Sequence, residues 1–152
     1  MIRVRAVREM PASAERVWAL LTDWESHSRW IPATRVTVLE GGGGVGTRFV
    51  GRSALGPVGF DDPMTVTVLD PPVDGYAGRC EIVKTGRVLL GTAGFTVAPT
   101  GPDACTATWW EDVEVAPGAL TRWADPLVAR LATYGVARVL AAAAAELGSV
   151  AS

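Results

Sequence analysis

Between residues 34 and 115, apolar and polar side chains alternate with a period of two, and turn residues interrupt the alternation at short intervals. A period of two predicts β-strands with one buried and one exposed face. The predicted strands are 34–40, 46–53, 58–69, 75–83, 87–98 and 104–115. The connections are too short for the crossover that parallel neighbours require, so we expect an antiparallel meander.

The segment before this meander predicts one more strand and two short helices. Residues 2–10 also alternate and are interpreted as the first strand. Ser13 is a typical N-cap for a short helix. Asp23 can cap a second short helix that runs from Trp24 to about Trp30.

A long helix is predicted at the C-terminal end. Asp125-Pro126 has the form of an N-cap followed by proline at the first helical position. Apolar residues then recur at spacings of three and four as far as Leu147, which indicates one broad apolar face along about 22 residues, or roughly 33 Å. We therefore expect a single α+β domain over residues 1–152, in which a curved antiparallel sheet of about seven strands wraps around this helix.

Composition excludes several classes of protein. The chain is 49% apolar and 20% charged with a net charge of −2, so it lacks the basic surface of a nucleic-acid-binding protein. The N-terminal segment lacks the apolar core of a signal peptide, and the best candidate for a membrane span, 136–147, is too short. We expect a cytoplasmic protein with no membrane span, no nucleic-acid partner, no metal and no cofactor.

The two cysteines, Cys80 and Cys105, form no metal-ligand pattern. They fall on predicted strands that flank the same middle strand, about 9–10 Å apart. A disulfide requires Cα atoms within about 7 Å. We therefore expect two free thiols.

Three local motifs are interpreted as structural. Gly41, Gly43 and Gly46 match G-x-G-x-x-G, but a predicted strand follows them where a dinucleotide site requires a helix. The only histidine, His27, lies in a polar run and is interpreted as part of a solvated helix face. Residues 61–63, Asp-Asp-Pro, interrupt a predicted strand, so we expect a bulge or kink there.

The tryptophans suggest a cavity. Six tryptophans in 152 residues is a high number, and five fall into two groups: Trp24 and Trp30, and Trp109, Trp110 and Trp123. Some must pack in the core. A single-layer sheet wrapped around one helix nevertheless leaves a wide gap, and we predict a sizeable cavity in it, lined by aromatic side chains.

In chain order, these segments resemble the START/polyketide-cyclase superfamily, also called SRPBCC, whose members have the helix-grip fold. The resemblance covers essentially the whole chain, including PASAERVW at 11–18 and the long last helix. Three further motifs are similar to its bacterial polyketide cyclase/dehydrase and lipid-transport branch: Asp-Pro-Met at 62–64, Thr-Gly-Arg-Val at 85–88, and Trp109-x-Glu111. The resemblance implies an apolar tunnel between the sheet and the last helix.

Three functions remain open at this point. The first is binding of a small hydrophobic or amphipathic ligand, such as a lipid, polyketide or isoprenoid-like compound. The second is an enzyme of the polyketide cyclase, aromatase or dehydratase type, with Glu111 as acid or base and Tyr134 or an arginine as electrophile. The third is a protein-interaction module with a filled interior. The oligomeric state is also left open.

The candidate ligand-binding residues come from both layers. They are Phe49, Phe60, Met64, Tyr76, Phe95, Trp109 and Glu111 from the sheet, with Trp123, Leu127, Leu131 and Tyr134 from the helix side.

Glu111 is expected to point into the cavity, because it shares a strand face with Trp109 and Val113, whereas Trp110 points outward. A bulge at Trp109-Trp110 would reverse this assignment. A carboxylate among apolar groups is costly unless it is paired or protonated, so we expect either that an arginine reaches Glu111 or that the pKa of Glu111 is raised. Both a structural ion pair and a polar anchor for a ligand are compatible with the sequence.

Overall fold

The predicted meander is present as one sheet in the computed structural model, which describes residues 1–116 and 125–151, with side chains up to residue 148. The strands in these ranges are β1 (Ile2–Met10), β2 (Thr34–Glu40), β3 (Arg48–Leu55), β4 (Val58–Asp70), β5 (Gly78–Thr85), β6 (Leu89–Gly101) and β7 (Ala104–Val115). The helices are α1 (Ala14–Leu21), a 3-10 helix (Trp24–Arg29) and α2 (Asp125–Ala151).

The seven strands are all antiparallel to their neighbours, in the order β1-β7-β6-β5-β4-β3-β2. Each strand pairs with the next one in the chain, except that β1 closes beside β7. With two short helices after β1 and a long helix at the C-terminal end, the predicted α+β helix-grip fold is confirmed.

The short helices begin where the sequence places their caps. Ser13 is extended, and its Oγ accepts a hydrogen bond from the backbone N–H of Arg16 at 3.3 Å. Helix α1 then buries Val17 completely. The second helix is of the 3-10 type, and Asp23 Oδ2 accepts a hydrogen bond from the Ser26 hydroxyl at 2.7 Å rather than from a backbone N–H.

The bulge expected at residues 61–63 is absent, because β4 pairs regularly with β3 through this stretch. A register shift of β4 lies further along, between Val66 and Val68, where the strand pairs with β5. Pro63 is tolerated because β4 pairs with β5 only from Met64 onward. Its missing N–H therefore breaks no hydrogen bond between these two strands.

Helix α2 covers the sheet with only part of its circumference. Its C-terminal half enters the main core through Val139, Leu140, Ala143, Ala144 and Leu147. Its N-terminal half packs Ala129, Ala132 and Val136 on Ile2, Val4 and Val113 of β1 and β7. The predicted apolar face is therefore only partly buried: Leu131 is 62% exposed. At 100° per residue, Leu131 lies roughly 140° around the helix from the centre of the buried arc.

By length and composition, α2 is also long and apolar enough to cross a membrane over Asp125–Gly148, a longer stretch than the sequence suggested. Length and composition do not distinguish a membrane span from an apolar core helix. In this fold, α2 is the core helix on which the sheet closes.

The two cysteines lie on β5 and β7, on either side of β6, and both are free and buried. Cys80 lies opposite Phe95, and Phe95 lies opposite Trp109, so Cys105 is a further four residues (109 − 105) along β7. This offset raises the expected Cα separation to roughly 16 Å, well beyond the reach of a disulfide.

We expect neither thiol to react with Ellman's reagent in the folded protein, and both to react after denaturation without reductant. Burial raises the pKa of Cys80 to about 12 and that of Cys105 to about 11, so the reactive thiolate is scarce at neutral pH. Release of fewer than two equivalents of chromophore from the denatured chain would reveal a disulfide and contradict the strand register.

Candidate ligand-binding site

A cavity of about 290 Å³ lies between the sheet and α2. This volume is close to the lower end of the range for small-molecule sites, roughly 300–1,000 Å³. Strands β2 to β7 form one side, and α2 contributes Ala132, Gly135, Val136 and Val139 on the other. Most of the lining is apolar.

Aromatic rings form one wall of the cavity. Trp24 stacks on Phe49 with ring centroids 4.5 Å apart and planes inclined by 9°. Phe95 contacts Trp18 edge-on at 5.5 Å and Trp109 at 6.2 Å. Such ring contacts restrict side-chain rotation, so this wall presents flat apolar surfaces in a fixed arrangement.

His27 is 5% exposed, so its interpretation as part of a solvated helix face is wrong. Its Nε2 lies 2.8 Å from the carbonyl oxygen of Leu21, which can only accept, so Nε2 carries the proton. The ring packs between Trp30 and Trp109, at 5.2 and 5.5 Å. Burial lowers the pKa of His27 below its usual value, despite the hydrogen bond to Leu21. The imidazole is therefore neutral at neutral pH.

Three charged side chains line the same apolar cavity: Asp62 from β4, Lys84 from β5 and Glu111 from β7. Side-chain alternation along each strand places them on the inner face of the sheet. On β6, between Lys84 and Glu111, the register places Gly91 and Ala93. These small residues leave room for the lysine to reach across the strand.

Lys84 links the two carboxylates. Its Nζ donates a hydrogen bond to Asp62 Oδ2 at 2.6 Å and lies 3.9 Å from Glu111 Oε2. Glu111 Oε1 accepts a hydrogen bond from Trp109 Nε1 at 3.1 Å. Glu111 thus points into the cavity, and β7 pairs regularly through Trp109 and Trp110 without a bulge. The cation that reaches Glu111 is a lysine rather than the expected arginine.

The pKa values of Lys84 and Asp62 are both raised by their surroundings. Burial on its own lowers the pKa of Lys84, but the carboxylates of Glu111 and Asp62 outweigh it and the pKa is raised, so the side chain is an ammonium. Burial raises the pKa of Asp62; Lys84 opposes this shift and Glu111 adds to it. One cation shared by two acids does not restore an ordinary pKa to Asp62.

Two buried polar atoms have no hydrogen-bond partner within the described part of the chain: Asp62 Oδ1, an acceptor, and Trp24 Nε1, a donor. Both residues line the cavity. An unsatisfied buried polar group costs about 1–3 kcal/mol, so a ligand that satisfies either atom gains affinity. In the same described ranges, no group of three or more His, Cys, Asp or Glu side chains is arranged to hold a metal ion.

The structure brings six of the candidate ligand-binding residues to the cavity and leaves four elsewhere. Those lining it are Phe49, Phe60, Met64, Phe95, Trp109 and Glu111. Those away from it are Tyr76, Leu127, Leu131 and Tyr134, which are between 61% and 75% exposed. Trp123 lies outside the described residues.

The four misplaced residues have two physical causes. Tyr76 lies in the turn before β5, which begins at Gly78 rather than at residue 75, and it forms an isolated bridge with Val73. The other three lie on the α2 face that is turned away from the sheet. As a result, the two candidate catalytic residues, Glu111 and Tyr134, are not brought together.

Sequence reasoning missed two members of the charged cluster. Lys84 is the one lysine among 14 basic residues, and it shares a strand face with Cys80 and Ile82. Asp62 shares a strand face with Met64. On β4, Asp62 lies between the candidates Phe60 and Met64, and on β5 one step beyond Ile82 reaches Lys84, so the period of two would have identified both. The buried histidine gave no comparable signal.

The fold and the cavity define a helix-grip protein with an apolar site between the sheet and the last helix. The chain belongs to the polyketide cyclase / dehydrase and lipid transport family, which it matches over residues 1–149. A comparison with curated proteins finds no match.

Solved structures with this fold include a protein from Thermus thermophilus, with a TM-score of 0.77, 18% identity and 99% of both chains covered. A START superfamily protein from Mycobacterium smegmatis has a TM-score of 0.72 and 21% identity, over 97% of this chain and 99% of that one. The Zhui aromatase/cyclase from a Streptomyces species has a TM-score of 0.69 and 17% identity, over 93% and 92%. At these identities, the likeness establishes the fold alone.

We expect Lys84→Met to lower the free energy of unfolding by about 3–5 kcal/mol, because it leaves the buried Asp62 and the partly buried Glu111 without a cation. Urea denaturation measures the loss. The matched control is Arg52→Met, which breaks an exposed ion pair with Asp61, the neighbour of Asp62 on the opposite strand face. That change should cost less than about 1 kcal/mol. Similar losses for the two variants would contradict the buried character of the cluster.

We expect proton NMR titration of the single histidine to give a pKa below 6.5. The unfolded chain takes up a proton as the pH falls through about 6.5, whereas folded His27 resists protonation. Its contribution to stability is therefore complete above that pH and is lost progressively below it. Between about pH 7.5 and 5.5, His27→Gln should lose less stability than the unmodified protein. A pKa at or above 6.5 would contradict the buried, neutral imidazole.

Proposed function

We propose that this protein binds one small hydrophobic or amphipathic molecule, such as a lipid, polyketide or isoprenoid-like compound, between the sheet and α2. The observation that carries the proposal is the cavity of about 290 Å³ with aromatic walls and a few charged groups at one place. Ligand sites commonly combine an apolar lining with a small number of polar groups that orient the ligand. The name of the family, which includes lipid transport, supports the same function.

Burial of the ligand supplies the affinity. When a ligand buries about 200 Å² of apolar surface away from water, the binding free energy becomes more favourable by roughly 5 kcal/mol. The cost of restricting the motion of the ligand reduces this gain. Trp24 and Phe49 stack on each other, which restricts the rotation of both rings, so little side-chain ordering opposes binding.

The alternatives have less support. An interaction module was expected to have a filled interior, whereas this interior contains a cavity. No specific observation favours the cyclase or dehydratase alternative, because Tyr134 is 65% exposed and does not line the cavity with Glu111.

We expect the uncharged fluorescent probe N-phenyl-1-naphthylamine to bind saturably, at one site per chain, to protein freed of any copurified ligand. Gly135→Phe should weaken this binding at least about tenfold, because Gly135 lines the cavity where it opens to solvent, and a Cβ there meets no atom within 4 Å, which leaves room for a ring to cover the opening. The substitution replaces a helical glycine, so helix stability should not suffer.

Leu127→Phe is the matched control, since Leu127 is 61% exposed, lies two turns before Gly135 and does not line the cavity. Its probe affinity should be unchanged. Absence of saturable binding to the unmodified protein would refute the proposed function. Equal binding by the Gly135 variant would place the site elsewhere.

A further inference from the structure

The charges inside the cavity do not balance. Among the described residues that line it, Asp62 and Glu111 are acids and Lys84 is the one cation. With all three ionised, one negative charge is in excess. An uncompensated charge is costly in a mostly apolar cavity, because few polar groups stabilise it.

The hydrogen bonds show where the cluster is deficient. Lys84 Nζ donates to Asp62 Oδ2, but its 3.9 Å separation from Glu111 Oε2 is too long for a hydrogen bond. Trp109 Nε1 donates a hydrogen bond to the other oxygen of Glu111, Oε1. Asp62 Oδ1 is buried and accepts no hydrogen bond from residues 1–116 or 125–148. The cluster of Asp62, Lys84 and Glu111 therefore has more carboxylate acceptors than hydrogen-bond donors, and more negative than positive charge.

This deficiency discriminates between ligands with an anionic end and ligands with a cationic end. A lysine alone in an apolar cavity would favour a carboxylate, but Lys84 is already shared between two. A third carboxylate would add repulsion and compete for the same ammonium. A ligand ammonium donates up to three hydrogen bonds and restores neutrality.

We propose that the ligand of this cavity is an amphipathic amine, with a flat apolar body among the aromatic rings and an ammonium group that binds Asp62 and Glu111. This inference rests on the proposed function and names the ligand class for the same site.

Three compounds that share a 2-naphthyl body test the inference: 2-(2-naphthyl)ethylamine, 2-(2-naphthyl)ethanol and the carboxylate anion of 2-naphthaleneacetic acid. Titration calorimetry at pH 7.5 should rank their affinities in that order, with about tenfold between neighbours. Equal affinities, or tightest binding of the carboxylate, would overturn the inference that the ligand is an amine and would leave the proposed function intact. Failure of all three and of N-phenyl-1-naphthylamine to bind would overturn the proposed function itself.

Variants locate the effect. Glu111→Gln keeps an acceptor for Trp109 and removes the excess charge, so it should weaken amine binding about tenfold and change ethanol binding less than about twofold. The matched control is Asp112→Asn, which removes a charge from the next residue on the outer face, where the side chain is 46% exposed. Its amine affinity should stay within about twofold.

A second matched pair, Asp62→Asn against Asp61→Asn, repeats the comparison on β4, and thermal unfolding of each variant establishes that it is folded. Asp61 is 62% exposed and pairs with Arg52 outside the cavity. Equal losses of amine affinity in the inner and outer variants would overturn the inference.

Discussion

The pairing of β1 with β7 joins segments roughly a hundred positions apart, in continuous register from Ile2 opposite Val113 to Met10 opposite Cys105. The pairing places the start of the chain beside the strand that precedes α2. Ile2, Val4 and Val113 then form the small apolar cluster on which the N-terminal half of α2 packs. The same register positions Glu111 opposite Val4. The position of α2 and the position of Glu111 in the cavity both depend on this long-range pairing.

Small residues account for the space that remains under α2. Ala132 and Gly135 line the cavity from the helix, and Gly51 and Ala93 line it from the sheet. A Cβ at Gly51 would make only ordinary contacts, 3.7 Å from Met64 and from Thr34. Larger side chains at such positions would gain stability through burial, and the charged cluster is costly as well. A domain that retains the small residues and the charged cluster is less stable than it could be. The loss of stability falls at the cavity, where a ligand-binding function would need both features.

The sequence predicts the sheet well because strand formation is read from local patterns. The turns and the period of two are properties of neighbouring residues, and the observed strands begin and end within three residues of the predicted positions. The rotation of α2 is different. Leu127 and Leu131 are as apolar as the residues that face the sheet, so spacing alone does not determine which arc is buried. His27 is buried by Trp30 and Trp109, and the contact with Trp109 depends on tertiary structure.

The residues that specify the fold and those that specify the ligand are largely separate in this chain. Ser13, the turns and the alternating strand positions direct the chain into the helix-grip fold. Asp62, Lys84 and Glu111 occupy inward strand positions where three apolar residues, introduced together, would serve the fold equally well. Their exchange would change the charge of the cavity and leave the architecture in place. For this reason, a TM-score of 0.77 at 18% identity carries the fold to this chain, while the ligand must be inferred from the side chains that line its own cavity.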